Sequence, residues 1–178
     1  VGIDQKQHVE LTRDIAIRFN KKYGETFKIP EPLIKSSGTK IMDLVNPTKK
    51  MSKSSDNPKG VIRLLDDIDS VRKKIMSATT DSETSIRYDV VNKPGISNLI
   101  NIYSVLTGKS IDKIEKEFEN QNYGAFKKEV ANVVCDEVKK IQDRYNEIIN
   151  SEELEAILND GIEKTRKQAR EKYELMKE

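Results

Sequence analysis

The chain has 178 residues, 35% hydrophobic and 35% charged, with one cysteine and no tryptophan. Its 32 Lys and Arg against 30 Asp and Glu leave a formal charge of +2, so overall charge selects no partner and only local clusters can. No apolar run approaches the roughly 18 residues of a membrane span, and the lone Cys135 excludes a disulfide framework within the chain and suits a reducing, cytoplasmic setting.

The first residues are Val1-Gly2-Ile3-Asp4, with no Met and no charged-then-apolar leader, so the natural start is expected elsewhere. Val9, Thr12, Ile15, Ala16, Phe19 and Tyr23 recur at spacings of three and four. That spacing predicts a helix from Asp4 to Tyr23, with Asp4 as its N-cap and Gly24 as its stop. A Val-Gly step before a helix reads as the end of a strand turning into it. His8 falls on the buried edge of this helix and is read as structural.

Residues 25–60 have another texture. Pro30 and Pro32 bracket a turn, Leu33-Ile34 and residues 40–44 read as short extended pieces, and Ser36-Ser37-Gly38 marks a loop. Residues 47–60 hold four lysines, three serines and two prolines with almost nothing to bury, which predicts a mobile cationic surface loop.

Beyond Gly60 the pattern is helical. Residues 61–65 can be extended, and Asp66 or Asp67 can cap a helix ending at Met76. Pro94 opens an apolar helix with Ile96, Leu99, Ile100, Tyr103 and Leu106, closed by Gly108. Ser110 caps a short helix with Ile111, Ile114 and Phe118. A long helix from Tyr123 to Asn150 carries Phe126, Val130, Val134, Val138, Ile141, Tyr145 and Ile148 on one stripe. Ser151 opens a short helix to Leu158, and Gly161 precedes a last one with Ile162, Ala169, Tyr173 and Met176 in line. The fold class is therefore mainly α, with an α/β remnant over 1–60 and a helical bundle over 61–178.

The sharpest chemical signal is Lys50-Met51-Ser52-Lys53-Ser54. Two ammonium groups three residues apart on a flexible loop can close over a polyphosphate and offset charge on a leaving group, while serine hydroxyls donate further bonds. The plain alternative is a solvated lysine-serine loop. The five letters K-M-S-K-S resemble the signature loop of class I aminoacyl-tRNA synthetases. Residues 2–14, Gly2-Ile3-Asp4-Gln5 followed by Lys-Gln-His-Val-Glu-Leu-Thr-Arg-Asp, resemble the G-x-D-Q segment and helix of bacterial tryptophanyl-tRNA synthetases. Tyrosyl-tRNA synthetases share the G-x-D-Q idea but typically lack the run after it, so tryptophan is favoured.

This resemblance implies a C-terminal fragment of such a ligase: the end of a Rossmann-type catalytic domain over 1–60, then a helical tRNA- or anticodon-binding domain over 61–178. It implies that Gly2, Ile3, Asp4 and Gln5 contact the ribose and adenine side of ATP, and that Ile41 contacts adenine. Lys50, Met51, Ser52, Lys53 and Ser54 match the pyrophosphate loop, with Lys50 and Lys53 as electrostatic catalytic groups. By sequence alone Asp4 is also a plain N-cap and Ile41 an ordinary strand residue.

The implied reaction joins tryptophan to its tRNA through tryptophanyl-adenylate, with ATP as substrate, Mg²⁺ on its phosphates and a homodimeric full-length enzyme. No metal-ligand cluster is evident. The H-I-G-H-type motif and the indole pocket of the family are absent and are expected before Val1, so these 178 residues alone are not expected to activate tryptophan. Two alternatives are a tyrosyl-type fragment and a non-catalytic helical tRNA-binding module; a binding module has no use for a ribose-binding helix start.

Two further features are read plainly. Cys135 lies near the edge of the long helix's stripe and is read as inert. Lys164, Arg166, Lys167, Arg170 and Lys172 are interleaved with Glu163, Glu171 and Glu174, which reads as a solvated face more than a phosphate-binding one.

Overall fold

The structure, a computed structural model, describes residues 5–34 and 40–177. Among these, six α-helices are formed: α1 (Lys6–Tyr23), α2 (Ile68–Met76), α3 (Pro94–Thr107), α4 (Ile111–Glu117), α5 (Tyr123–Ile149) and α6 (Glu153–Leu175), with a 3-10 turn at Pro58–Gly60. No strand occurs among the described residues, and the remnant region contributes one isolated antiparallel bridge, Met42 to Lys50. Two packing units result, one from residues 40–145, the other from the described residues of 1–39 and 146–178. The composition shift at residue 60 lies inside the first of these.

Local chemistry sets the helix ends in the 40–145 unit. Asp67 caps α2, its carboxylate accepting the Ser70 N–H at 3.0 Å. Pro94 opens α3, where its missing N–H costs nothing. Gly108 ends that helix in the left-handed region at φ 72°, its N–H returned to the Ser104 carbonyl at 2.8 Å. Ser110 occupies the N-cap of α4, although its hydroxyl makes no capping bond.

Helix α3 is buried nearly all round, as a central helix must be. Ile96, Leu99 and Ile100 meet Val71 and Ile75 of α2 and Phe126, Val130, Val134 and Val138 of α5 in one cluster. Tyr103, Phe118 and Phe126 form a ring cluster with centroids 4.8–5.9 Å apart and tilted edge-to-face geometry. Burying each such side chain contributes about 1.5–3 kcal/mol. The predicted α5 stripe is buried as far as Val138, while Ile141 and Tyr145 stand exposed. Cys135 is buried, its thiol against the Ile68 carbonyl, and burial pushes its pKa up despite Arg72 nearby, consistent with an inert thiol.

The other unit is thinly packed. Of α1, Ala16 alone is buried, Val9 and Phe19 are half-buried, and Leu11, Ile15 and Tyr23 are exposed, so the predicted stripe is covered only in part. The predicted buried position of His8 is corrected: it lies on the exposed side. Helix α1 does stop at Gly24, whereas Asp4 lies outside the described residues. Asn20 ties the next segment back, its amide bonding to the Phe27 carbonyl at 2.7 Å and the Phe27 N–H at 2.9 Å. The two short helices predicted on either side of Gly161 are one helix, α6. Glycine tolerates the helical backbone at a cost of about 1 kcal/mol, so it marks a break only where packing supports one.

Candidate phosphate-binding loop

The signature pentapeptide sits on a closed stem. Residues 41–44 run antiparallel to 49–51: the Asp43 N–H donates to the Lys49 carbonyl at 2.8 Å, and the Met51 N–H to the Ile41 carbonyl at 3.0 Å. The far end returns to the same strand-like piece, because the Leu44 N–H donates to the Gly60 carbonyl at 3.0 Å. Gly60 is required there. A Cβ at residue 60 would run into the Asp43 carboxylate, which is itself buried and accepts the Val45 and Asn46 N–H groups, both at 2.8 Å.

The loop is thus anchored at both ends, more than its composition suggested. Met51 and Ile41 are half-buried and pack against the hydrophobic core. From Ser52 outward the tip is polar. Ser52, Lys53 and Ser54 are exposed, with the two hydroxyl oxygens 2.9 Å apart and the Ser55 N–H donating to the Ser52 carbonyl at 3.0 Å. Lys50 closes the bridge through its backbone and presents an exposed side chain at the start of the tip.

Helical residues hold this stem from beneath. Asn98 of α3, 3% exposed, accepts the Met42 N–H and donates to the Met42 carbonyl, both at 2.8 Å. Thr79, just beyond α2, donates its N–H to the Leu44 carbonyl and its hydroxyl to the Val45 carbonyl, each at 2.8 Å. Neither residue was singled out in the sequence. Asn98, flanked by Ile96, Leu99 and Ile100 in α3, was the available signal, although Asn101 of the same helix offers a second amide.

Of the other predicted residues, Gly2, Ile3 and Asp4 lie outside the described residues, and Gln5 directly precedes α1 in the other unit. The lysine and arginine cluster of α6 is exposed throughout; Lys164 pairs with Asp160 at 2.7 Å, and Lys172 donates to the Thr26 carbonyl at 2.9 Å. Among the described residues no group of His, Cys, Asp or Glu side chains could hold a metal ion, and no helix is long and apolar enough to cross a membrane.

A second polar centre lies at the start of α3. Lys93, 1% exposed, donates to Tyr123 Oη at 2.7 Å, Asp81 Oδ1 at 3.1 Å and the Ser85 carbonyl at 3.1 Å, with Glu83 Oε2 at 2.9 Å. Tyr123 in turn donates to Asp81 at 2.7 Å. Burial alone would lower the Lys93 pKa, but its bonds to Tyr123, Glu83 and Asp81 outweigh that and raise it. Burial likewise opposes ionisation of Asp81, and the Tyr123 and Lys93 bonds win, holding its pKa below the usual value. This centre is a structural lock joining residues 81–93 to α5.

The model of the family "tRNA synthetases class I (W and Y)" matches residues 1–139. The tryptophan–tRNA ligase of Bacillus anthracis is 53% identical over 169 residues, covering 95% of this chain and 51% of that protein. The chain spans about half the length of the curated relatives it matches. Among solved structures, the tryptophanyl-tRNA synthetase from Mycoplasma pneumoniae agrees with a TM-score of 0.83 at 36% identity, covering 98% of this chain and 55% of that one. The tryptophanyl-tRNA synthetase from Campylobacter jejuni, crystallised in complex with ADP and tryptophan, gives 0.66 at 30% identity, covering 98% and 53%.

Proposed function

We propose, from the premise that this chain belongs to the class I tRNA synthetases of the W and Y type, that it is the ATP-phosphate and tRNA-handling part of a tryptophan–tRNA ligase. The observation that carries the reading is the intact Lys50–Ser54 signature on a pinned stem with an exposed tip, in a chain 53% identical to a tryptophan–tRNA ligase. In this reading residues 1–60 complete a Rossmann-type catalytic domain, and residues 61–178 form the helical tRNA-binding part.

The full-length ligase would work in two steps. A carboxylate oxygen of tryptophan attacks the α-phosphorus of ATP while the bond to the β-phosphate oxygen breaks, and pyrophosphate departs. The terminal ribose hydroxyl of tRNA(Trp) then attacks the activated carbonyl, and AMP leaves. The tip residues supply electrostatics and no acid or base. Lys50 and Lys53 meet the charge that grows on pyrophosphate, and Ser52 and Ser54 donate hydrogen bonds to it.

Gly2, Ile3, Asp4, Gln5 and Ile41 are assigned to the adenosine side, where a carboxylate accepts ribose hydroxyls and a glycine permits close approach. Mg²⁺ would ride on the phosphates, whose oxygens supply its hard ligands. The working enzyme is a cytoplasmic homodimer in this reading, and the 178-residue polypeptide alone does not activate tryptophan.

Lys53→Ala tests the assignment in the full-length ligase. Loss of one preorganised donor typically costs about a hundred- to a thousand-fold in rate, so tryptophan-dependent pyrophosphate exchange should slow by that factor. Equilibrium tryptophan binding without ATP should hold within about twofold, because the lysine acts on charge that develops later. An unchanged exchange rate removes the role assigned to the loop.

A further inference from the structure

We propose that Asn98 is a positioning residue for the signature loop: its side-chain amide stands in for a missing neighbouring strand and sets the angle at which the Lys50–Ser54 tip leaves the helical core. The proposal rests on the reading of that loop as the pyrophosphate-facing element.

The stem lacks what normally orients an extended segment. Ile41 and Asp43 pair on one side with residues 49–51, and Leu44 is held by Gly60 and Thr79, but no strand lies against Met42 on its other side among the described residues. A backbone edge buried there would leave an N–H and a C=O unsatisfied, each at the cost of its lost hydration. Asn98 satisfies both groups of Met42 at once, each at 2.8 Å. An amide carries a donor and an acceptor in one plane and so copies a strand partner. The anchoring residue and its target lie 56 positions apart, so the contact is tertiary.

Two features favour an orienting role over simple satisfaction. Met42 is the residue bridged to Lys50, so the clamp acts on the pair from which the tip departs. Asn98 itself sits in the buried first half of α3, one residue from Leu99 and two from Ile100, both 0% exposed, so its position is fixed by core packing. Rigid support of this kind matters because a displacement of about 1 Å at a reacting group can cost on the order of a hundred-fold in rate.

The test compares Asn98→Leu, Asn98→Asp and Ser97→Ala with native full-length ligase, with Lys53→Ala alongside. Ser97 is as buried as Asn98 and accepts the Asp89 N–H at 2.8 Å, but it does not touch the stem, so it reports the cost of losing a buried polar contact in α3. Three readouts are taken: pyrophosphate exchange, tryptophan affinity, and amide hydrogen exchange of Met42, Asp43, Leu44 and Met51. For Asn98→Leu we expect kcat to fall about ten- to a hundred-fold, tryptophan affinity to hold within about twofold, and all four amides to lose protection together.

In Asn98→Asp the introduced carboxyl regains the donor-acceptor pattern only when protonated. Its activity relative to native should therefore recover as pH is lowered from 8 to 5.5, which also covers the case of an Asn98→Leu protein that does not fold. The inference is overturned if Asn98→Leu loses no more activity than Ser97→Ala, if Met42 alone loses protection, or if Asn98→Asp shows no recovery at low pH. Failure of the underlying reading looks different: Lys53→Ala would then leave exchange unchanged, while the amide measurement still decides whether Asn98 holds the stem.

Discussion

Lys93 shows how a buried charge can be a structural part and nothing else. Its ammonium is 1% exposed and saturated by Asp81, Glu83, Tyr123 and Ser85. Removing one partner of such a set leaves the others uncompensated, so Lys93→Met should destabilise the chain by about 3–5 kcal/mol in urea unfolding at pH 7. The pH dependence has a definite sign. Asp81 is depressed below its ordinary 3.8, so its contribution is present above that value and lost as pH falls through the folded one. Lys93 is raised above its ordinary 10.5, so its contribution is complete below that value and lost only at higher pH. The gap between native and Lys93→Met should therefore be flat from pH 5 to 9 and shrink below about pH 4. A gap that varies between pH 6 and 8 would contradict this assignment. At this scale the signature letters Lys50–Ser54 were legible because a short motif carries its chemistry with it. Lys93 and Asn98 were not, since their partners lie up to 30 and 56 residues away and no local pattern announces a side chain that bonds a distant backbone.

Helix ends were legible wherever one residue decides them. Asp67, Pro94 and Gly108 each act through their own backbone or side chain, and each stands at the end predicted for it. Gly161 misled for the same reason. It is a local breaker by propensity, yet α6 runs through it from Glu153 to Leu175. A Cβ built at residue 161 meets nothing within 4 Å, so no close approach requires glycine there. Gly161→Ala should therefore stabilise α6 by roughly 0.5–1 kcal/mol. The checks are mean residue ellipticity at 222 nm and the slowing of amide exchange across residues 157–168. A loss of helicity would show that the break at Gly161 read from sequence is real in solution. The isolated bridge at Met42 was the hardest element to foresee, because a one-residue pairing has no period to detect.

The distribution of burial over the whole chain sets where it should open first. Eighteen hydrophobic residues form the cluster of the 40–145 unit, and at about 1.5–3 kcal/mol for each large side chain this is the source of cooperative stability. Helix α1 buries Ala16, and α6 has no buried residue; isolated helices are marginal in water even at lengths of about 12–15 residues. Composition could not separate the two cases, because α1 and α6 carry apolar stripes as regular as that of α5. What differs is whether a partner covers the stripe, and that is tertiary information. Hydrogen exchange on the 178-residue polypeptide should therefore divide by unit. Amides of Ile96–Tyr103 and Phe126–Val138 should exchange only through global unfolding, whereas those of Leu11–Phe19 and Ile157–Arg170 should exchange through local opening, at least about a hundred-fold faster. Phe126→Ala, which opens a cavity against Tyr103 and Phe118, should cost about 3–5 kcal/mol and accelerate the first group by the full amount. It should leave the second group nearly unchanged, because local opening does not pass through the core. Equal acceleration of both groups would mean that α1 and α6 share the cooperative unit of the core, and the burial argument would fail.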